Sequence, residues 1–189
     1  MPEFQLIGYL ALFAEHGVEY LLVGGVGARI QGTATTTQDL DIVPEPSLAN
    51  LTRLAVALSD PTTERMAGGD RAYLPHPRVE PSEFATATIA SYRTRFGAID
   101  VLMELPGVGG YDVLVRRARR YEWNDIVLSV ASLDDIIESK ESSDRAKDLR
   151  ALDALYAARE SLRRQPDDFA VRADALDPGS PPSGAADGD

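Results

Sequence analysis

Asp39 and Asp41 stand one residue apart in Thr37-Gln38-Asp39-Leu40-Asp41-Ile42-Val43, and a third acid, Asp100, sits in a second apolar run, Gly97-Ala98-Ile99-Asp100-Val101-Leu102. On an extended strand, residues i and i+2 project from the same face, about 7 Å apart. The spacing therefore sends both Asp39 carboxylate and Asp41 carboxylate to one side and Leu40 and Ile42 to the other, into a core. Carboxylates embedded in β-like hydrophobic sequence are unfavourable unless positive charge offsets them. Divalent cations do this, and a pair of Mg²⁺ ions (or Mn²⁺) holding a nucleoside triphosphate is the chemistry that such a cluster suits. In that arrangement Asp39, Asp41 and Asp100 are the metal ligands, one ion binds the triphosphate, the other activates an attacking hydroxyl, and Asp100 is the acid placed to act as general base.

A second feature lies upstream. The apolar run Tyr20-Leu21-Leu22-Val23 closes on Gly24-Gly25. A glycine pair at the start of a helix lets backbone N–H groups approach phosphate oxygens. The GxxxxGK[ST] pattern is absent, so the turn is not a P-loop. The basic residues divide as 17 Arg and 2 Lys, and the two lysines, Lys140 and Lys147, fall in one segment. A compact ammonium is not interchangeable with a guanidinium at a phosphate, which marks these two positions.

The elements that must hold these residues can be read from periodicity. Residues 3–16 form an amphipathic helix and 19–23 a buried strand. Gly24-Gly25 opens a short helix that stops at Gly32. Residues 39–43 form a strand ended by Pro44 and Pro46, and Ser47 caps a helix reaching Leu58. The Pro- and Gly-rich residues 59–82 read as an irregular loop. Residues 84–94 and 97–104 read as two strands meeting at Phe96-Gly97, and residues 111–121 as a helix with a basic face. Residues 125–130 form a strand, Ser132 caps a helix reaching Lys140, and Ser142-Ser143 cap a last helix over 144–164. Helices and strands alternate, then a hairpin intrudes, which predicts an α/β (α+β) domain around a mixed β-sheet flanked by helices. The expected organisation is a core over residues 1–130, a C-terminal helical segment over 131–164 packed on it, and an acidic, disordered tail over 165–189.

Composition narrows the function. The absence of cysteine removes disulfides and thiolate zinc sites and fits a reducing, cytoplasmic setting. No apolar run approaches the roughly 20 residues that span a bilayer, so no membrane partner is expected. The net charge of −11 opposes general nucleic-acid affinity. The acids concentrate in the tail, however, and Arg116-Arg117-Ala118-Arg119-Arg120 leaves room for a local basic site.

Together Leu22-Val23-Gly24-Gly25, Thr37-x-Asp39-Leu40-Asp41 and Ile99-Asp100-Val101 resemble the polymerase-β-like nucleotidyltransferase superfamily. The stretch Leu133-x-x-Ile136-Ile137-x-x-Lys140, continuing to Arg145-x-Lys147-Asp148-Leu149, is similar to the AbiEii/MenT-type toxin nucleotidyltransferases of toxin–antitoxin systems. The resemblance spans about residues 18–156; the interval from Gly25 to Asp39 is longer than in many small members. It implies a mixed-sheet nucleotidyltransferase core that transfers a nucleoside monophosphate from an NTP and releases pyrophosphate. In the toxin group the acceptor is the 3′ end of tRNA, which blocks translation, and a cognate antitoxin is the partner. By matching positions, Asp39, Asp41 and Asp100 are metal ligands and catalytic acids. Gly24, Gly25 and Thr37 belong to the nucleotide site, and Lys140 contacts the triphosphate. Arg145, Lys147 and Asp148 are further nucleotide-site candidates that equally suit ordinary helix-surface pairs. Arg116, Arg117, Arg119 and Arg120 are candidates for tRNA phosphates, or a solvated helix face. A phosphate on Thr37 would add about −2 charge beside the acids and oppose NTP binding. Alternative readings are transfer to a small aminoglycoside-like molecule, transfer to a protein hydroxyl, or a non-catalytic fold that only binds a partner.

Overall fold

The structure, a computed structural model, describes residues 4–34, 36–67, 72–123, 126–143 and 146–164, with the side chains of 146–150 excepted. Helix α1 (Leu6–Glu15) buries Leu6, Tyr9, Leu10 and Phe13 at helical spacing. Strand β1 (Tyr20–Leu22) runs into helix α2 (Gly24–Ile30). Strand β2 (Asp39–Pro44) carries the Asp-x-Asp pair, and helix α3 (Leu48–Leu58) follows, its Ser47 hydroxyl accepting from the Asn50 N–H. Asn50 is wholly buried and satisfied: its amide bonds the backbone of Glu19 and Glu45, tying α3 to the one end of the β1–β2 pair where β1 begins and β2 finishes.

The described residues between 59 and 82 hold more regular structure than their proline and glycine content predicts. They contain strands β3 (Glu64–Ala67) and β4 (Ala72–Pro75), which pair with each other, and β3 also pairs with β5. Neither strand shows clean alternation; pairing to an existing sheet edge decides them. Helix α4 (Pro81–Thr86) then occupies the place where a strand was expected to begin. Pro81 sits in its first turn, and the Glu83 carboxylate accepts from the Glu80 N–H at 2.7 Å. Strand β5 (Ile89–Thr94) and β6 (Gly97–Leu102) form the expected hairpin. A small ribbon follows, β7 (Glu104–Leu105) with β8 (Gly109–Gly110).

The helix expected over residues 111–121 is a single turn, α5 (Tyr111–Leu114), succeeded by strand β9 (Arg119–Trp123). Here pairing with the next strand in the chain overrides local propensity: β9 registers antiparallel against all of β10 (Ile126–Val130) and buries Tyr121. Helix α6 (Leu133–Ser142) starts at Ser132, whose hydroxyl accepts from the Asp135 N–H, and α7 (Ala146–Arg164) closes the described chain.

The strands form one eight-stranded mixed sheet in the order β4-β3-β5-β6-β2-β1-β10-β9. Strands β2 and β6 are parallel neighbours, as are β1 and β10; the other pairs are antiparallel. One face, with Leu22, Leu40, Ile42, Tyr92, Ile99 and Val101, packs against α1, α3 and α4. The opposite face, with Leu21, Val23, Val43 and Leu102, packs against α6 and α7. Both layers are needed because β1 and β2 carry apolar residues on both sides. No helix among the described residues is long and apolar enough to cross a membrane.

Candidate functional site

Strand alternation decides where the acids go. Leu40 and Ile42 are fully buried on the α1–α3 side, so Asp39 and Asp41 face the α6 side. Strand β6 lies parallel to β2 with Asp41 registered opposite Asp100 and Asp39 opposite Ala98. Adjacent strands lie about 4.8 Å apart, so the third acid is the direct cross-strand neighbour of the second. All three carboxylates line a cleft of about 420 Å³, together with Gly24, Gly25 and Thr37 from one side and Lys140 from α6.

The glycine pair fits against the acids by shape. Gly24 has φ +56°, and a Cβ there would stand 1.9 Å from Asp41 Oδ2. Only glycine reconciles that turn with that carboxylate. A Cβ on Gly25 would come within 2.7 Å of the Thr37 side chain. The Val23 N–H donates to the Asp41 carbonyl at 3.1 Å, locking the turn to β2. The Gly25 N–H donates to the Asp41 carboxylate, so at least one amide of the turn serves an acid. Thr37 lies where the sequence expects it: its hydroxyl donates to Asp39 Oδ1 at 2.7 Å and orients that carboxylate.

Electrostatics follow from this crowding. Burial, then the neighbouring charges of Asp39 and Asp100, push the Asp41 carboxyl up to about 7; Lys140 and the Gly25 N–H pull against the rise. Among the described residues no three His, Asp or Glu side chains stand close enough to enclose a single ion. Magnesium does not require such a cage. It is usually held by one or two carboxylates, with phosphate oxygens and water completing the octahedron. Hard oxygen donors on Asp39 and Asp41, with mutual repulsion that a cation would relieve, fit Mg²⁺ or Mn²⁺.

The remaining candidates divide. Lys140 lines the cleft and acts electrostatically on Asp41. Arg145 and the side chains of Lys147 and Asp148 lie outside the described residues, as does the tail from residue 165. The four arginines do not share a helix face, because α5 ends before them. Arg117 reaches into the α6 cap, with Nη2 2.5 Å from Oδ1 of the fully buried Asp135. Arg119 and Arg120 sit on successive positions of edge strand β9 and so project to opposite sides. Strand β9 is separated from β2 by β1 and β10. The expected basic helix face is therefore corrected to a dispersed set with one structural member. Sequence reasoning missed Leu105 and Pro106, which with Ile136 of the Leu133–Lys140 stretch make an apolar wall of the cleft, and the adjacent Ser139. The β7–β8 ribbon and α6 bring these together, and no short motif marks them.

No family model matches this sequence, and no curated protein matches it either. Its fold does match solved structures. The chain superposes on the lincosamide antibiotic adenylyltransferase LnuA, whose crystal structure holds lincomycin, with a TM-score of 0.57 and 14% identity, covering 82% of this chain and 99% of that one. The antibiotic-resistance factor ANT(2'')-Ia, determined in solution, matches at a TM-score of 0.44 and 12% identity over 85% of this chain and 91% of that one.

Proposed function

We propose that this protein, which shares the fold of a nucleotidyltransferase, transfers a nucleoside monophosphate from an NTP to a hydroxyl of a small, antibiotic-like molecule. The observation that carries this reading is the registered trio Asp39, Asp41 and Asp100 facing Lys140 across a glycine-lined cleft. The fold shared with a lincosamide adenylyltransferase turns the acceptor toward a small molecule and away from the tRNA and antitoxin of the sequence resemblance. The dispersal of the arginine cluster and the net charge of −11 support the same choice.

When bound, a divalent ion held by Asp39 and Asp41 supplies positive charge against the triphosphate. Asp100 receives the proton of the acceptor hydroxyl. The hydroxyl oxygen bonds to the α-phosphorus while the bond from that phosphorus to the pyrophosphate oxygen breaks, and pyrophosphate leaves with the electron pair. The Lys140 ammonium stabilises the departing charge. Thr37 and the Gly25 N–H fix the two strand-β2 carboxylates in place.

The test is incubation of the purified chain with Mg²⁺ and each α-labelled NTP, offering lincosamides and aminoglycosides in one arm and total tRNA in the other, beside Asp41→Ala. Label on a small molecule that vanishes in the variant is expected. Label on tRNA instead would reverse the acceptor and restore the toxin reading. NTP binding with label on neither would direct attention to a protein hydroxyl.

A further inference from the structure

The face that carries the acids is roofed on only part of its width. Over β1, β2 and the end of β6 it packs beneath α6 and α7. Among the described residues, nothing from β3, β4 or β5 joins that cluster. On β5 the alternation is clean: Ala90, Tyr92 and Thr94 are buried on the other side, whereas Ile89, Ser91 and Arg93 on the acid side are not. Register continues the acid rows outward. Asp100 is opposite Ser91, and Ala98 is opposite Arg93, which is opposite Glu64; Met66 is opposite Tyr73 on the edge strand β4. Neither Met66 nor Tyr73 belongs to either hydrophobic cluster.

This open face has a built end. The Arg93 guanidinium lies 3.8 Å from the centroid of the Tyr73 ring, crossing over β3 to reach it, and its Nη1 bonds Glu64 Oε2 at 3.2 Å. The stack holds both side chains upright on the sheet. Burial and then the charge of Asp100 raise the Tyr73 phenol above its ordinary value, which places that ring within the field of the acids. From β6 to β4 is three strand spacings, about 14 Å, floored by the small side chains of Ala98 and Ser91. That width accommodates one or two six-membered rings.

We propose that the open face of β5, β3 and β4 beside Asp100 is the acceptor-binding surface, and that the stacked Tyr73–Arg93 pair is the wall that positions a hydroxylated, amine-bearing small molecule. The inference rests on the small-molecule reading above. Charge complementarity selects the occupant: with Asp39 and Asp41 given to the divalent ion and Lys140 to the triphosphate, Asp100 and Glu64 remain at this surface against Arg93, which favours protonated amines and disfavours a nucleic-acid backbone. A hydroxyl presented over Ser91 lies beside Asp100, to which its proton passes as its oxygen bonds to the α-phosphorus and pyrophosphate departs with the electron pair. Tyr73 is a positioning residue and takes no part in that step.

Full-length wild type, Tyr73→Ala, Tyr73→Phe and Glu64→Gln are assayed with Mg²⁺, labelled NTP and either kanamycin or lincomycin as acceptor probe. Tyr73→Ala is expected to raise the acceptor KM about tenfold, the loss of one aromatic contact, and to leave the NTP KM unchanged. Tyr73→Phe, which keeps the ring, restores the wild-type KM. Glu64→Gln, with its fold confirmed by thermal melting, is expected to raise KM for both probes, each of which bears a protonatable amine, and reads the same surface independently of Tyr73→Ala. Wild-type acceptor KM in both Tyr73→Ala and Glu64→Gln overturns this inference alone. Wild type that binds NTP yet labels neither probe overturns the inference together with the small-molecule reading.

Discussion

Replacing Gly24 by alanine tests the link between the β1–α2 turn and the acids. The residue sits at φ +56°, where an L side chain costs about 1–2 kcal/mol. Its new Cβ would lie 1.9 Å from Asp41 Oδ2, 2.6 Å from Cγ and 2.9 Å from Cβ. Contact between non-bonded atoms becomes comfortable near 3.4 Å, so the carboxylate must retreat by about 1.5 Å or the turn must open. The Asp41 backbone is held by the Val23 N–H, which leaves the side chain to move. Misplacement of a reacting group by about 1 Å costs on the order of 100-fold in rate. Gly24→Ala should therefore lower kcat for nucleotidyl transfer about 100-fold, and the backbone strain should lower Tm by about 2–8 °C. Gly32→Ala is the matched control: it has φ +94° but no neighbour within 4 Å of the added Cβ. It incurs strain alone and should keep full kcat. The assay pairs steady-state transfer with differential scanning calorimetry on both variants. Full activity in Gly24→Ala, or equal loss in both glycine variants, would refute the claim that the turn is shaped around Asp41.

Three further outcomes follow from the same structure. Asp41→Asn should abolish transfer yet stabilise the metal-free protein in EDTA at pH 8. The wild-type carboxyl titrates near 7 when folded against an ordinary 3.8, so the folded state loses stability as pH rises between those values, by at most about 4 kcal/mol; a variant no more stable than wild type at pH 8 would contradict this. Glu83 gathers Arg65 at 2.7 Å, His76 at 3.0 Å and the Tyr92 hydroxyl at 3.0 Å. Burial alone would raise its carboxyl, but the Glu80 N–H, His76 and Tyr92 outweigh it and hold it below the ordinary value. Glu83→Gln should cost about 1–3 kcal/mol at pH 7, with the difference shrinking as pH falls below the ordinary carboxylate range, read by urea melts at pH 7 and pH 3.5. Arg117→Ala strands the buried Asp135 and should cost about 3 kcal/mol, whereas Arg120→Ala on the exposed strand position should stay within about 0.5 kcal/mol; equal melting temperatures would refute the structural role.

Much of the candidate site's geometry is legible in the sequence because it is local. Asp39 and Asp41 share a face by strand alternation alone, and Thr37 reaches Asp39 across two residues. The misreadings came where strand pairing or overlooked local signals decide. Arg119 to Trp123 carries helix-compatible residues, but β10 supplies five paired positions, so the segment is a strand and the basic face dissolves. Glu64 to Ala67 lacks alternation and becomes β3 only because β5 offers an unpaired edge. At Pro81 the signals for a helix start, proline in the first turn and glutamates three apart, are local to the chain, and α4 stands where the sequence reading places loop and strand.

The chain's own order of residues determined the acid pair, the glycine turn and the caps of α3 and α6, since each depends on residues a few positions apart, and its alternation of helical and strand segments indicated a mixed sheet between helices. Tertiary structure alone decided that Asp100 lies opposite Asp41, that Lys140 faces them, that Arg117 is spent on Asp135, and that α6 and α7 leave the β5–β3–β4 half of the acid face open. Register between strands 59 residues apart is fixed by burying Ile42 and Val101 together on the far side, a packing constraint that spacing along the chain does not encode.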